Sequence, residues 1–276
     1  MTREELIAQI VAKRSFLCVG LDTDVRKLPP HIMDEENPML SFNRAIIDAT
    51  EPSAVAFKPN VAFYESMGSY GMKVLEETID YIKDKYPHML VIADGKRGDI
   101  GNTGALYARA YFEHFHADGI TVAPYMGEDS VKPFLAYSDK WVVLLALTSN
   151  DGSKDFQMQK NDHGEYLFES VIRTSQEWGD KEHLMYVVGA THPEWVERIR
   201  AIAPDHFLLV PGIGAQGGDF DAIVSAGMTT ECGLLVNASR SIIYASNGER
   251  FAEAAHNEAE AVRLKMERAL ISKGII

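Results

Sequence analysis

The sequence predicts a closed (β/α)8 barrel with one extra helix at each end. Three observations predict it: eight short apolar runs, a helix-like segment between most successive runs, and a length of 276 residues, which suits one such barrel spanning 1–276. The runs are 16–22 (FLCVGLD), 54–60 (AVAFKPN), 89–96 (MLVIADGK), 119–125 (GITVAPY), 141–148 (WVVLLALT), 184–190 (LMYVVGA), 206–212 (HFLLVPG) and 233–240 (GLLVNASR). Each is aliphatic without polar alternation, the pattern of strands buried on both faces of a parallel sheet. Helical spacing covers 37–51, 62–85, 102–116, 127–137, 164–179, 193–201 and 219–226, and these segments supply the crossovers that parallel strands require. Helices over 2–14 and 248–273 frame the barrel. No linker divides the chain. A polar insertion, 150–164, follows the fifth run and reads as a lid or as a surface loop.

Composition narrows the function. The formal net charge is −13, so a broad nucleic-acid interface, which needs clustered cations, is not expected. A locally basic pocket for a small anion remains compatible with an acidic surface. The sequence contains neither a signal peptide nor a run of ~20 apolar residues, and a cytoplasmic protein without membrane contact is expected. Cys18 and Cys232 lie in apolar runs and read as buried, reduced thiols. The nine histidines do not converge on strand ends, and the Cys/His spacings of metal sites are absent, so no metal is expected. His192, after the sixth run, reads as a surface residue.

Barrel enzymes carry their chemistry at the carboxyl ends of the strands. There the runs end in Asp22, in Lys58 and Asn60, in Asp94 and Lys96 with Asp99 just beyond, in Thr148, Ser149 and Asn150, and in Asn237, Ser239 and Arg240. Strand alternation turns Asp94 and Lys96 to one side, and Lys58 ends the neighbouring strand. The expected result is a row of alternating charges, Lys58–Asp94–Lys96–Asp99. Such a row is either a structural ion-pair network or a functional site, and its place in a barrel mouth points to function. A second signal is the loop 211–218 (PGIGAQGG), whose backbone N–H groups suit an anion, with Arg240 at the end of the eighth strand offering a fork to phosphate oxygens.

The motif Asp94-x-Lys96-x-x-Asp99 followed by Ile100, with Lys58, Gln216 and Arg240-Ser-Ile, resembles the signature of the orotidine 5′-phosphate decarboxylase family, in its longer bacterial branch. The resemblance covers almost the whole chain. It implies decarboxylation of orotidine 5′-monophosphate to UMP in pyrimidine biosynthesis, without a cofactor. It further implies that Asp22 and Lys58 hold the ribose hydroxyls, that Asp94 sits against the substrate carboxylate, and that Lys96 protonates C6. Ser149 would bind the pyrimidine edge, with Thr148 an alternative for that position. Gln216 and Arg240 would hold the phosphate. Asp99 and Thr103 would reach into a partner's site across a homodimer interface.

The Asp-x-Lys-x-x-Asp pattern also occurs in related barrels that handle sugar phosphates, such as 3-hexulose-6-phosphate synthase. A metal-dependent sugar-phosphate lyase or aldolase is therefore the alternative. In those barrels the second-strand position resembles an acidic metal ligand. Here it is Lys58, a cation that would oppose Mg2+.

Overall fold

Eight parallel strands close into a barrel in sequence order, β1 pairing with both β2 and β8. The computed structural model describes residues 1–189, 192–212 and 220–276. The strands are β1 (Leu17–Leu21), β2 (Ala54–Pro59), β3 (Leu90–Arg97), β4 (Gly119–Val122), β5 (Trp141–Leu147), β6 (Leu184–Val188), β7 (Leu208–Pro211) and β8 (Leu234–Ala238). Each coincides with one of the apolar runs. The strand residues are almost all buried, which explains the missing polar alternation: one face fills the barrel interior and the other meets the helices.

The framing helices do different work. In α1 (Arg3–Lys13), Thr2 caps the first turn and Glu5 reaches back to the Thr2 backbone. This segment lies across the amino-terminal end of the barrel. Lys13 Nζ donates to Ala54 O at the start of β2, and Trp141 Nε1 at the start of β5 donates to Met1 O. The outer layer includes α2 (Pro38–Thr50), α3 (Val61–Glu65), α4 (Gly68–Lys85), α5 (Gly101–Arg109), α6 (Lys132–Leu135), α7 (Ser153–Phe156), α8 (Leu167–Ser175), α9 (Pro193–Ile202), α10 (Phe220–Gly227) and α11 (Arg240–Ile243). The closing helix, α12 (Phe251–Lys273), packs on α2 through stacked Phe42 and Phe251, ring centroids 5.1 Å apart. Among the described residues no helix is long and apolar enough to cross a membrane.

The helical expectations need four corrections. The segment 62–85 is two helices, broken at Gly68, whose φ of +63° interrupts the helical path. Gly71 then passes so close to the Tyr64 carbonyl that a Cβ would sit 1.9 Å from it. The segment 102–116 begins as α5 but continues as a π-helical turn, Ala110–His114. The segment 127–137 holds only a 3-10 turn, Glu128–Ser130, and the short α6, because Gly127 at φ +80° and Pro133 limit regular helix there. The segment 164–179 shortens to α8.

Candidate active site

The carboxyl ends of β1 to β4 bring together the residues on which the sequence reading rests. Lys58, at the end of β2, places Nζ 2.7 Å from Asp94 Oδ2. Lys96 places Nζ 2.6 Å from Asp94 Oδ1. One carboxylate is thus held between two ammonium groups. The two lysines differ in access: the Lys58 side chain is 6% exposed and that of Lys96 is 53% exposed. Lys96 is the more open of the two to a molecule in the mouth.

Opposed forces set the protonation of this group. Burial works to raise the Asp94 carboxyl, but the charges of Lys58 and Lys96 and their hydrogen bonds outweigh it and hold it well below the usual carboxylate range. Burial works to lower Lys58, and Asp94 and then Asp22 reverse it, so the ammonium is held above its ordinary value. Beneath them, burial pushes the Cys18 thiol up to about 12, which leaves it protonated and unreactive.

Asp94 and Lys96 face one another, but simple strand alternation is not the reason. The pairing of β3 with β4 shifts register between Ala93 and Arg97, and Lys96 has φ +46°. That left-handed backbone costs a residue with a Cβ about 1–2 kcal/mol. The charge row also stops short of the expectation. Asp99 makes no ion pair with Lys96 within the chain; its Oδ1 accepts from the Ile100 N–H at 2.8 Å. Asp99 and Thr103 instead lie at the loop and first turn that follow β3, where Thr103 is exposed.

Asp22 stands just beyond β1 with Oδ1 buried and, among the described residues, without a hydrogen-bond partner. Its surroundings are fixed by a buried polar chain. Thr23 Oγ1 donates to Asn43 Oδ1 at 2.6 Å, Asn43 Nδ2 donates to Tyr64 and Thr78, and the Tyr64 hydroxyl donates to Leu21 O. Gly20 on the same strand lies against Ser239; a Cβ there would sit 1.8 Å from the Ser239 hydroxyl.

The other side of the mouth is more open. After β5, the Thr148 hydroxyl is engaged by Gln157 at 2.9 Å and Asn150 at 2.6 Å, which ties the 150–164 insertion to the strand end. Ser149 is half-buried, and its hydroxyl has no partner among the described residues. The eighth strand stops at Ala238, so Arg240 opens α11 rather than ending the strand. Its side chain is exposed and unpaired among the described residues. Gln216 and most of the glycine-rich loop lie outside the described residues. His192 is at the surface, its side chain 62% exposed.

Two residues that the sequence reading passed over belong to this assembly. Thr121, buried on β4, donates to Asp94 Oδ1 at 3.0 Å and accepts from the Lys96 N–H at 2.8 Å. A polar residue inside an otherwise apolar strand was its only signal. Arg97 follows Lys96 and donates to Gly95 O at 2.8 Å.

The family model for "Orotidine 5'-phosphate decarboxylase / HUMPS family" matches residues 15–255. The chain is 61% identical over all 276 residues to the orotidine 5'-phosphate decarboxylase of Porphyromonas gingivalis, with both chains fully covered. Among solved structures, the OMP decarboxylase of Leishmania donovani is similar at a TM-score of 0.79 and 36% identity, covering 96% of this chain and 99% of that one. The UMP synthase of Leishmania donovani matches at 0.81 and 39%, covering 95% of this chain, which spans only 57% of that longer one. With the lysine–aspartate–lysine group at the mouth of a closed eight-stranded barrel and these relatives, the chain belongs to the orotidine 5′-phosphate decarboxylase / HUMPS family.

Proposed function

We propose that Lys96, Asp94 and Lys58 carry the decarboxylation of orotidine 5′-monophosphate to UMP, the pyrimidine-biosynthetic reaction to which the family and the named relatives assign this chain. One observation carries the residue assignment. Lys96 is the accessible ammonium of a group whose other cation is buried, and both are paired with a single carboxylate.

Loss of CO2 leaves a carbanion at C6 in the plane of the pyrimidine ring, where the π system cannot delocalise it. A fixed ammonium beside C6 stabilises that charge as it develops and then delivers a proton to it. Asp94 keeps the Lys96 ammonium pointed through their 2.6 Å ion pair, and its own charge beside the substrate carboxylate favours departure of CO2. Lys58 and Asp22 are the ribose ligands; the unpartnered buried Asp22 oxygen supports this, because such an atom calls for a donor. Ser149 binds the pyrimidine edge, supported by a hydroxyl that has no partner among the described residues, beside an already engaged Thr148. Arg240 and Gln216 take the phosphate. Phosphate binding, remote from the bond broken, supplies energy for ordering the site.

Asp99 and Thr103 act across a homodimer interface. Asp99 makes no ion pair among the described residues, and Ile100 beside it is 55% exposed, so this edge is suited to a second copy. Mixing inactive Asp99→Ala and Lys96→Ala proteins should regain activity if sites are shared.

The metal-dependent alternative is disfavoured by Lys58, whose ammonium occupies the acidic-ligand position and is already bonded to Asp94. The test is the fall in orotate absorbance on adding orotidine 5′-monophosphate in the presence of EDTA. Turnover that persists in EDTA supports the reading. Turnover that needs added Mg2+, or no turnover at all, overturns it.

A further inference from the structure

Lys96 is not a glycine, yet it holds a left-handed backbone at φ +46°. The peptide unit that precedes it is bonded at both ends. Its carbonyl, Gly95 O, accepts from Arg97 Nη1 at 2.8 Å, and its N–H, on Lys96, donates to Thr121 Oγ1 at 2.8 Å. Rotation of that peptide is the motion that would let Lys96 relax to negative φ, and either bond opposes it.

The inner end is Thr121. Its hydroxyl has one proton and accepts the Lys96 N–H through a lone pair. The proton goes to Asp94 Oδ1 at 3.0 Å. A single buried hydroxyl therefore fixes the backbone of one partner and the carboxylate of the other. The outer end is Arg97, which is itself held: it pairs with Glu65 of α3 and donates to the Tyr111 hydroxyl at 2.9 Å. Its guanidinium also stands 5.7 Å from the Tyr107 ring centroid and 5.5 Å from that of Tyr111. Tyr111 lies in the π-helical turn after α5, so the break in that helix supplies one of the supports.

We infer that Thr121 and Arg97 are positioning residues that lock the Gly95–Lys96 peptide, and so aim the Lys96 ammonium at the reacting carbon. This rests on the assignment of Lys96 as the proton donor. Neither residue needs to touch the substrate for it to hold.

Thr121→Val keeps the shape of the side chain and removes both hydrogen bonds; Thr121→Ser keeps the hydroxyl. The expected result is a fall in kcat of about 30–100-fold for T121V, the scale of a small misplacement of a catalytic group. Its Kd for UMP should stay within about threefold, and T121S should recover kcat to within about threefold of wild type, because a lost aim affects chemistry more than ligand binding. A kcat near wild type in T121V, or equal losses in T121S and T121V, overturns the inference. Where T121V does not fold, Arg97→Lys is read instead at the outer end, with about a tenfold loss of kcat and unchanged UMP affinity expected; normal kcat there overturns it. Lys96→Ala separates the two levels. If K96A turns over normally, the proton-donor assignment fails. If K96A is inactive while T121V is normal, only the positioning inference fails.

Discussion

The two halves of the barrel mouth are built differently. Around β1 to β4 the charged groups satisfy one another except at the buried Asp22 oxygen: Asp94 takes bonds from Lys58, Lys96 and Thr121, and Asn43 braces the end of β1 through Thr23. Around β5 and β8, Ser149 and Arg240 have no side-chain partner among the described residues. Burial explains the difference. A charge withdrawn from water without a partner costs several kcal/mol, so Lys58 and Asp94 must be paired within the protein before any ligand arrives. Arg240 is exposed, and water can serve it. One half is therefore preformed and the other left open, which in the proposed reading divides chemistry from binding.

Substitutions can break this division. The largest effect is expected from Lys96→Ala: kcat should fall at least ~10³-fold, about 4 kcal/mol of barrel-mouth electrostatics and general-acid catalysis combined. Near-normal turnover would remove the chemistry from this half. Next is Asp94→Asn, read by urea denaturation. It leaves Lys58 buried without its carboxylate and should cost roughly 2–4 kcal/mol at neutral pH. The sign with pH follows from a carboxyl held below its ordinary range. Its stabilisation is complete above the unfolded value near ~4 and fades as pH falls toward the depressed folded value. The gap between wild type and D94N should therefore narrow on acidification below about pH 4; a constant gap would mean that the pair is not its source.

The binding half should respond in kcat/KM rather than stability. Arg240→Ala is expected to lose roughly 10²-fold in kcat/KM on the phosphorylated substrate, the value of charge-assisted hydrogen bonds to phosphate. Its urea midpoint should be unchanged, and turnover of the unphosphorylated nucleoside should be equal to wild type. The smallest effect sharpens the comparison at β5. Ser149→Ala should raise KM by up to about tenfold, one neutral hydrogen bond. Thr148→Ala should instead loosen the 150–164 insertion, seen as faster proteolysis there. The reverse pattern would exchange the two roles.

Much of this was legible in the chain. Strand burial is a local pattern, so the eight apolar runs located all eight strands, and the strand-end positions of Asp94, Lys96 and Lys58 located the charged group, although a register shift and a left-handed Lys96 rather than strand alternation bring Asp94 and Lys96 together. Helix interruptions were harder to read, since the breaks near Gly68 and at Ala110 depend on packing against other elements rather than on periodicity. Arg240 shifted from strand to helix because β8 ends two residues earlier than its apolar run suggests.

By itself, the sequence determined the barrel, the two lysines about one aspartate, and a cation at the end of the eighth apolar run. Only the tertiary structure decided how they are held. The left-handed Lys96 is enforced by a hydroxyl 25 positions further along the chain, and Asp99 is left outside the charge row. The physical reason is range: hydrophobic period and residue type act between neighbours in sequence, whereas a strained backbone persists only where distant strands supply the bonds that over-determine it.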